Sequence, residues 1–256
     1  VTAKRFSHIP FLRPFLIALQ FLTRIPVPDL GPPDDADFRA SVRCYPLVGL
    51  FIGILTVLFA LLLPLLFPSR LLQSVLLVAF DLLITGGLHL DGLMDTADGF
   101  LSYRDKARVL DIMRDSRVGA MAVLAVIITL TVRIAALAAL PTATRLSVLL
   151  VAPFLARGQL LLVIRFNPLA RDDGLSRQAL DVFDWRDLLP YLVALLLTVW
   201  LARLSGFIMA LAAGAVAVWL SRVARQRIGG MTGDVYGAAV ELAQVATVLA
   251  AAVHLP

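Results

Sequence analysis

The sequence predicts an all-α, polytopic membrane helix bundle. Of its 256 residues 60% are hydrophobic and 16% charged, mean hydropathy is +0.89, and the apolar residues gather in runs of membrane-crossing length. A soluble domain of this size has no interior large enough to hide so much apolar surface. The length suits one membrane-embedded domain over 1–256 with about seven crossings. Cys44 is the single cysteine, so no internal disulfide forms. The 23 Lys and Arg against 18 Asp and Glu give a net charge of +5. No basic stripe is interleaved with stacking aromatics, so this excess is expected to record membrane orientation and not a nucleic-acid partner.

Seven apolar runs approach the ~20 residues a crossing needs, at 44–67, 71–90, 119–140, 145–164, 188–203, 206–220 and 237–255. The fifth and sixth are short and are expected to tilt or to thin the bilayer. Ahead of them, residues 11–25 are apolar but too few to cross, are flanked by Arg13 and Arg24, and end in Ile25-Pro26-Val27-Pro28. Two readings stand for this segment, a helix lying in the interface or a re-entrant one. Lys4 and Arg5 precede it as in a signal peptide, but no small-residue cleavage site follows, so it is expected to stay in the mature protein.

With the N-terminus in the cytoplasm, segments 1–43, 91–118, 165–187 and 221–236 hold 18 basic residues, against three in the opposite turns (Arg70, Arg145 and Arg203). That bias predicts an N-in, C-out topology. Sixteen of the 18 acids fall on the same side, leaving only Asp81 and Glu241 within spans. A chain with its polar chemistry on one face is organised to act at the cytoplasmic interface, whereas a transporter more often lines its middle with charge.

The second run leads into Leu88-His89-Leu90-Asp91-Gly92-Leu93-Met94-Asp95-Thr96-Ala97-Asp98-Gly99. On a continuing helix Asp91, Asp95 and Asp98 share an arc of about 60° at 100° per residue. Two carboxylates ~6 Å apart repel by about 3 kcal/mol at most at an effective dielectric of ~20, so a cation is expected there. Oxygen-only ligands favour Mg²⁺ or Mn²⁺ over Zn²⁺. The bland reading is a solvated acidic loop, disfavoured by the apolar Leu88, Leu90, Leu93 and Met94 between the acids. His89 lies about 160° from Asp91 by the same arithmetic, reaching substrate from another side or sitting at the headgroups. Gly86 and Gly87 read equally as close backbone approach or as small-residue packing.

Further along, Arg114 and Arg117 are expected one helical turn apart with Asp115 and Ser116 between them, able to offer two guanidinium forks to a diphosphate or to anchor the interface. Gly229-Gly230-Met231-Thr232-Gly233-Asp234 opens the last run where a helix N-terminus would present free N–H groups. Two readings stand for Asp234, serving the helix dipole alone or meeting Asp91 at the same face. Asp81 and Glu241 look for partners among Arg133, Arg157, Gln159 and Gln244. Residues 165–176 read as a substrate lid or as a long polar connection, with Arg157-Gly158-Gln159 just before it.

Taken together, Gln20-Phe21-Leu22-Thr23-Arg24-Ile25-Pro26-Val27-Pro28, Tyr45-Pro46-Leu47-Val48-Gly49, the stretch His89 to Gly99, Arg114 to Gly119, and Gly229 to Gly237 followed by Glu241 resemble the cobalamin synthase family of bacterial vitamin B12 assembly. The likeness covers nearly the whole chain, with 141–225 matching only loosely. It implies a multi-pass inner-membrane phosphotransferase that needs Mg²⁺ and faces the cytoplasm. A hydroxyl of α-ribazole or its 5′-phosphate would attack the diphosphate of adenosylcobinamide-GDP and expel GMP. On that reading Asp91, Asp95 and Asp98 hold Mg²⁺, and Arg114 and Arg117 take the remaining diphosphate oxygens. Asp115 or Asp234, or less readily His89, handles the hydroxyl. Arg114, Arg117, Thr232, Arg24 and Gln159 are the expected substrate-binding residues. A CDP-alcohol phosphotransferase acting on lipid is the nearest rival, and a transporter with a midplane site is the rival of another class. Membrane lipids are expected neighbours, and small residues such as Gly206, Ala210 and Gly214 suit helix packing within one chain or in a homo-oligomer.

Overall fold

The computed structural model describes residues 12–170 and 185–253. Its helices are α1 (Leu12–Leu22), α2 (Asp35–Val42), α3 (Tyr45–Leu66), α4 (Arg70–Thr85), α5 (Leu88–Phe100), α6 (Lys106–Ile112), α7 (Ala120–Ala139), α8 (Thr142–Phe166), α9 (Leu189–Ile228) and α10 (Gly233–Ala252). A single β-bridge, Leu169 to Met231, is the only extended pairing among the described residues. Five helices are long and apolar enough to cross a membrane, or six if the bent pair α4–α5 is one span.

The bundle is built around α8, whose apolar residues cover every face and are nearly all buried. Across from it, α3 presents Gly49 and Gly53, four residues apart, directly to the α8 backbone at Pro153 and Leu150. With lipid as apolar as leucine, such close backbone approach supplies the packing that hydrophobicity cannot. The outer faces of α3, α4, α7 and α9 leave leucines and isoleucines uncovered, for example Leu65, Leu83, Ile128 and Leu196, as lipid-facing helices do.

Two expected spans differ in detail. The run 71–90 is not one helix: Gly86 and Gly87 adopt left-handed φ of 63° and 71°, and α5 leaves α4 at 93°. All three acids of the stripe still share one helix, α5. The runs 188–203 and 206–220 are two parts of α9, which breaks at Arg203 (φ 50°, ψ −127°). A Cβ on Gly206 would strike the carbonyl of Thr198, whereas residues eight apart on a straight helix are ~12 Å apart, so the two parts fold back on each other. The second part continues to Ile228, about two turns beyond the expected end. The short N-terminal helix forms as expected, and α1 packs its Ile17, Ala18, Leu19 and Leu22 inward.

The segments richest in charge meet at one end of the bundle. Arg13 pairs with Asp37 at 2.6 Å, Arg43 with Asp187, and the Arg24 amide donates to the Ile84 carbonyl. At the opposite end, Arg70 donates to Leu140 and Thr142, and Arg145 to Gln73 at 3.1 Å. Arg145 thus sits in α8 and not in a turn.

Candidate active site

The left-handed pair Gly86-Gly87 starts α5, and the Arg24 side chain lies on Gly86, where a Cβ would collide with its Nε and Cγ. α5 then runs flush against α10. A Cβ on Gly92 would come to 2.6 Å from the Asp234 carbonyl oxygen, so only glycine permits this backbone contact. The start of α10 is fixed from three sides. Gly229 (φ 84°) ends α9, Met231 exchanges 2.9 Å hydrogen bonds with Pro168 and Ala170, and the Thr232 hydroxyl accepts from the Val235 amide at 3.3 Å. Thr232 is therefore a buried helix cap. Residues 167–170 of the expected lid form part of this connection, while 171–176 lie outside the described residues.

These contacts border a partly open cavity of about 230 Å³. His89, Asp91 and Asp234 line it together with Phe21, Phe38 and Tyr45. His89 is buried, with no partner for Nδ1, and Asp91 is exposed, yet both line this space.

Asp95 stands half-buried one turn along. Burial, followed by the charges of Asp91, Asp234 and Asp98, pushes its carboxyl up to about 6. Among the described residues no three acidic, histidine or cysteine side chains converge as a ready-made ion cage. The donor set nevertheless fits Mg²⁺, which is usually held by one or two carboxylates plus substrate phosphates, with waters completing its shell. Asp98 also holds a neighbouring helix, since its Oδ2 accepts from the Gly119 amide at 2.6 Å and its Oδ1 from the Ala122 amide at 2.8 Å. It thereby caps α7, whose own first residue offers no side-chain cap.

Several expected placements change. Arg114 and Arg117 do not share a helical turn, because α6 ends at Ile112 and α7 begins at Ala120. The Asp115 carboxylate accepts from the Arg117 amide at 3.1 Å and grips its guanidinium at 2.6 Å, a local turn that competes with helix. Those bonds pull the exposed Asp115 carboxyl down to about 2, which makes it a poor proton acceptor. Arg114 is exposed on the same loop. Gln159 is fully buried and donates to the Ala239 carbonyl at 2.9 Å, tying α8 to α10 without lining the cavity. Arg157 is likewise fully buried, and Gly158 packs on Tyr191. Asp81 and Glu241 find a shared partner in Arg133, at 2.8 and 3.8 Å, with Gln244 accepting a third bond.

Sequence reasoning missed the aromatic wall. Phe21 and Tyr45 stack with centroids 6.2 Å apart, and Phe38 meets Phe21 edge-on at 6.3 Å. These rings come from three helices, so no periodicity within one helix announces them.

Gly92→Ala is expected to push α5 off α10 and to cost activity more than tenfold while the protein still folds. Activity of the purified variant, beside its melting curve, checks this. A second expectation concerns pH. Because the folded-state value of Asp95 lies above 3.8, the folded protein keeps that proton between about pH 4 and 6 where the unfolded chain has lost it. Its contribution to stability is therefore present at low pH and lost as pH rises through 6. Asp95→Asn should melt above wild type at pH 7 in chelator, by no more than about 1 kcal/mol after solvent screening, and the gap should close below pH 4.

A family model described as cobalamin-5-phosphate synthase matches residues 14–252. The chain is 40% identical to an adenosylcobinamide-GDP ribazoletransferase of Pseudomonas paraeruginosa, covering 94% of this chain and 98% of that protein. A protein of the same name from Alkalilimnicola ehrlichii is 43% identical over 93% of this chain and 94% of its own length. Another from Desulfitobacterium hafniense is 38% identical over 95% and 98%. No solved structure matches the chain.

Proposed function

Because the chain belongs to the cobalamin-5-phosphate synthase family, we propose that it is an adenosylcobinamide-GDP ribazoletransferase, the enzyme of nucleotide-loop assembly in cobalamin biosynthesis. It joins adenosylcobinamide-GDP to α-ribazole or its 5′-phosphate and releases GMP. The observation that carries the site assignment is the meeting of Asp91 on α5 and Asp234 on α10 at one cavity, with Asp95 close enough to feel both.

In the transfer, a ribose hydroxyl oxygen forms a bond to the phosphorus borne by cobinamide, and the bridging P–O bond to GMP breaks. Such a reaction asks for positioning and charge neutralisation, and no serine or cysteine is among the cavity residues. Asp234 orients the attacking hydroxyl and takes up its proton. Asp91 and Asp95 would hold Mg²⁺, and Asp98 would contribute only the lone pairs left over from capping α7. When bound, the ion neutralises the diphosphate and polarises its phosphoryl oxygens. Arg114 reaches the diphosphate from the 113–119 loop, a role open to Arg117 only if Asp115 releases it. Arg24, at the bend, guards the cytoplasmic mouth.

We assign the protein to the inner membrane, N-in and C-out, with seven crossings made by α3, α4, α7, α8, the two parts of α9, and α10. The 18-to-3 bias of basic residues supports this orientation. The test of function is conversion of adenosylcobinamide-GDP to a nucleotide-looped corrinoid by the purified protein supplied with α-ribazole 5′-phosphate and Mg²⁺. Turnover of a CDP-lipid instead would replace this reading with its rival.

A further inference from the structure

We infer that the apolar half of the cavity beside Asp91 and Asp234 seats the aromatic base of the acceptor, flat against Phe21 and Tyr45 and bounded by Phe38. The inference rests on the ribazoletransferase reading and deepens it, by naming residues that choose the acceptor.

Size comes first. At about 230 Å³ the cavity is smaller than the ~300–1,000 Å³ of pockets that enclose a whole drug-sized ligand, so it takes one part of a larger molecule. A bicyclic ring system fits, and a corrin macrocycle does not. The part that enters is therefore the benzimidazole of ribazole or the guanine of the donor.

The walls decide between them. Phe21 and Tyr45 lie within 18° of parallel, too close to each other to admit a third ring between them, and Phe38 stands at 81° to Phe21, so the rings offer one face and an edge to a planar π-system. Leu22, Val42, Leu160 and Ile164 complete this half and bring no polar side-chain atoms. Guanine carries several donors and acceptors around its edge, and burying them there would leave most of them unpaired. Benzimidazole joined to ribose keeps one free ring nitrogen. Two lining residues hold buried polar atoms without a partner, His89 Nδ1 and Tyr236 Oη. With its proton on Nδ1, His89 can donate the single hydrogen bond that such a base needs. Asp91 and Asp234 border the same cavity, so a ribose attached to the seated base lies where its hydroxyl is required.

The test uses the full-length protein in detergent, with GMP release measured while each substrate is varied separately. Phe21→Leu keeps apolar bulk but loses a ring face, Phe21→Tyr restores the face, and Val42→Trp fills the space. Loss of one stacking face should raise the acceptor's KM about tenfold in Phe21→Leu, with the KM for adenosylcobinamide-GDP unchanged and Phe21→Tyr near wild type. Val42→Trp should abolish saturation by α-ribazole 5′-phosphate. Equilibrium dialysis of α-ribazole against each variant, after its monodispersity is verified, reads the same loss without turnover. A rise in the donor's KM with the acceptor's unmoved overturns the inference and puts guanine in the cavity. Unchanged values for both also overturn it while leaving the transferase reading intact. No GMP release from wild type overturns both.

Discussion

Asp91→Asn and Asp95→Asn proteins are expected to fold and to reach the membrane, yet to turn over at least about a thousandfold more slowly than wild type. Both side chains lie on α5 where it packs against α10, and the charges of Asp91, Asp98 and Asp234 act on Asp95. A metal that neutralises a diphosphate supplies several kcal/mol to the transition state, and each ~1.4 kcal/mol is tenfold in rate. Asparagine keeps the shape and one oxygen but gives up the charge that holds the ion. The half-buried Asp95 already carries an electrostatic cost, so its replacement should raise metal-free stability while it removes activity. Initial rates of GMP release, set beside the melting curve of the same preparation, read both effects. Normal rates in both variants would remove these residues from the metal site.

Arg133→Met should produce the largest loss of stability of any single change in the bundle core. Its guanidinium ties α7 to Asp81 on α4 and to Glu241 and Gln244 on α10. Both carboxylates are almost fully buried, and Arg157, the other buried cation nearby, makes no ion pair with either. Removing one partner of a buried pair costs about 3–5 kcal/mol, chiefly because the other charge is left without compensation. Adding Asp81→Leu to Arg133→Met removes one of the stranded charges, so the double variant should recover much of the loss. Equilibrium unfolding in mixed detergent micelles measures this coupling. Additive losses would show that the pair stores no shared energy. The pairing also accounts for three of the midplane charges, Asp81, Arg133 and Glu241, as ties between helices, which weakens the sequence feature behind a transporter reading.

Apolar runs and charge bias made most of the helices legible, because a bilayer imposes length and composition on every span. A helix N-terminus within 229–234 was legible from its glycines and Asp234, although Thr232, expected to bind substrate, is the cap that starts α10. The 93° bend was not. Gly86 and Gly87 are equally at home in packed membrane helices, and it is their left-handed backbone, with the Arg24 side chain lying on Gly86, that distinguishes the two uses. The geometry of Arg114 and Arg117 was hidden for a related reason, since their spacing fits a helix while Asp115 binds the backbone two residues on and stops one from forming. At the site, Asp91, Asp95 and Asp98 share a helix as their i, i+4, i+7 spacing requires. That Asp98 caps α7 depends on a contact 21 residues away, which periodicity within one helix does not encode. Gln159 shows the converse error: a polar residue in an apolar run reads as functional, whereas its amide serves a backbone carbonyl of α10.

The most direct measurement is GMP release by the purified wild-type protein, given adenosylcobinamide-GDP and α-ribazole 5′-phosphate, with Mg²⁺ and then with excess chelator. Release that requires the acceptor, stops in chelator and returns on adding Mg²⁺ is the expected result. Release that continues undiminished in chelator would contradict the assignment of a metal to Asp91 and Asp95, and no release from folded protein would contradict the transferase itself.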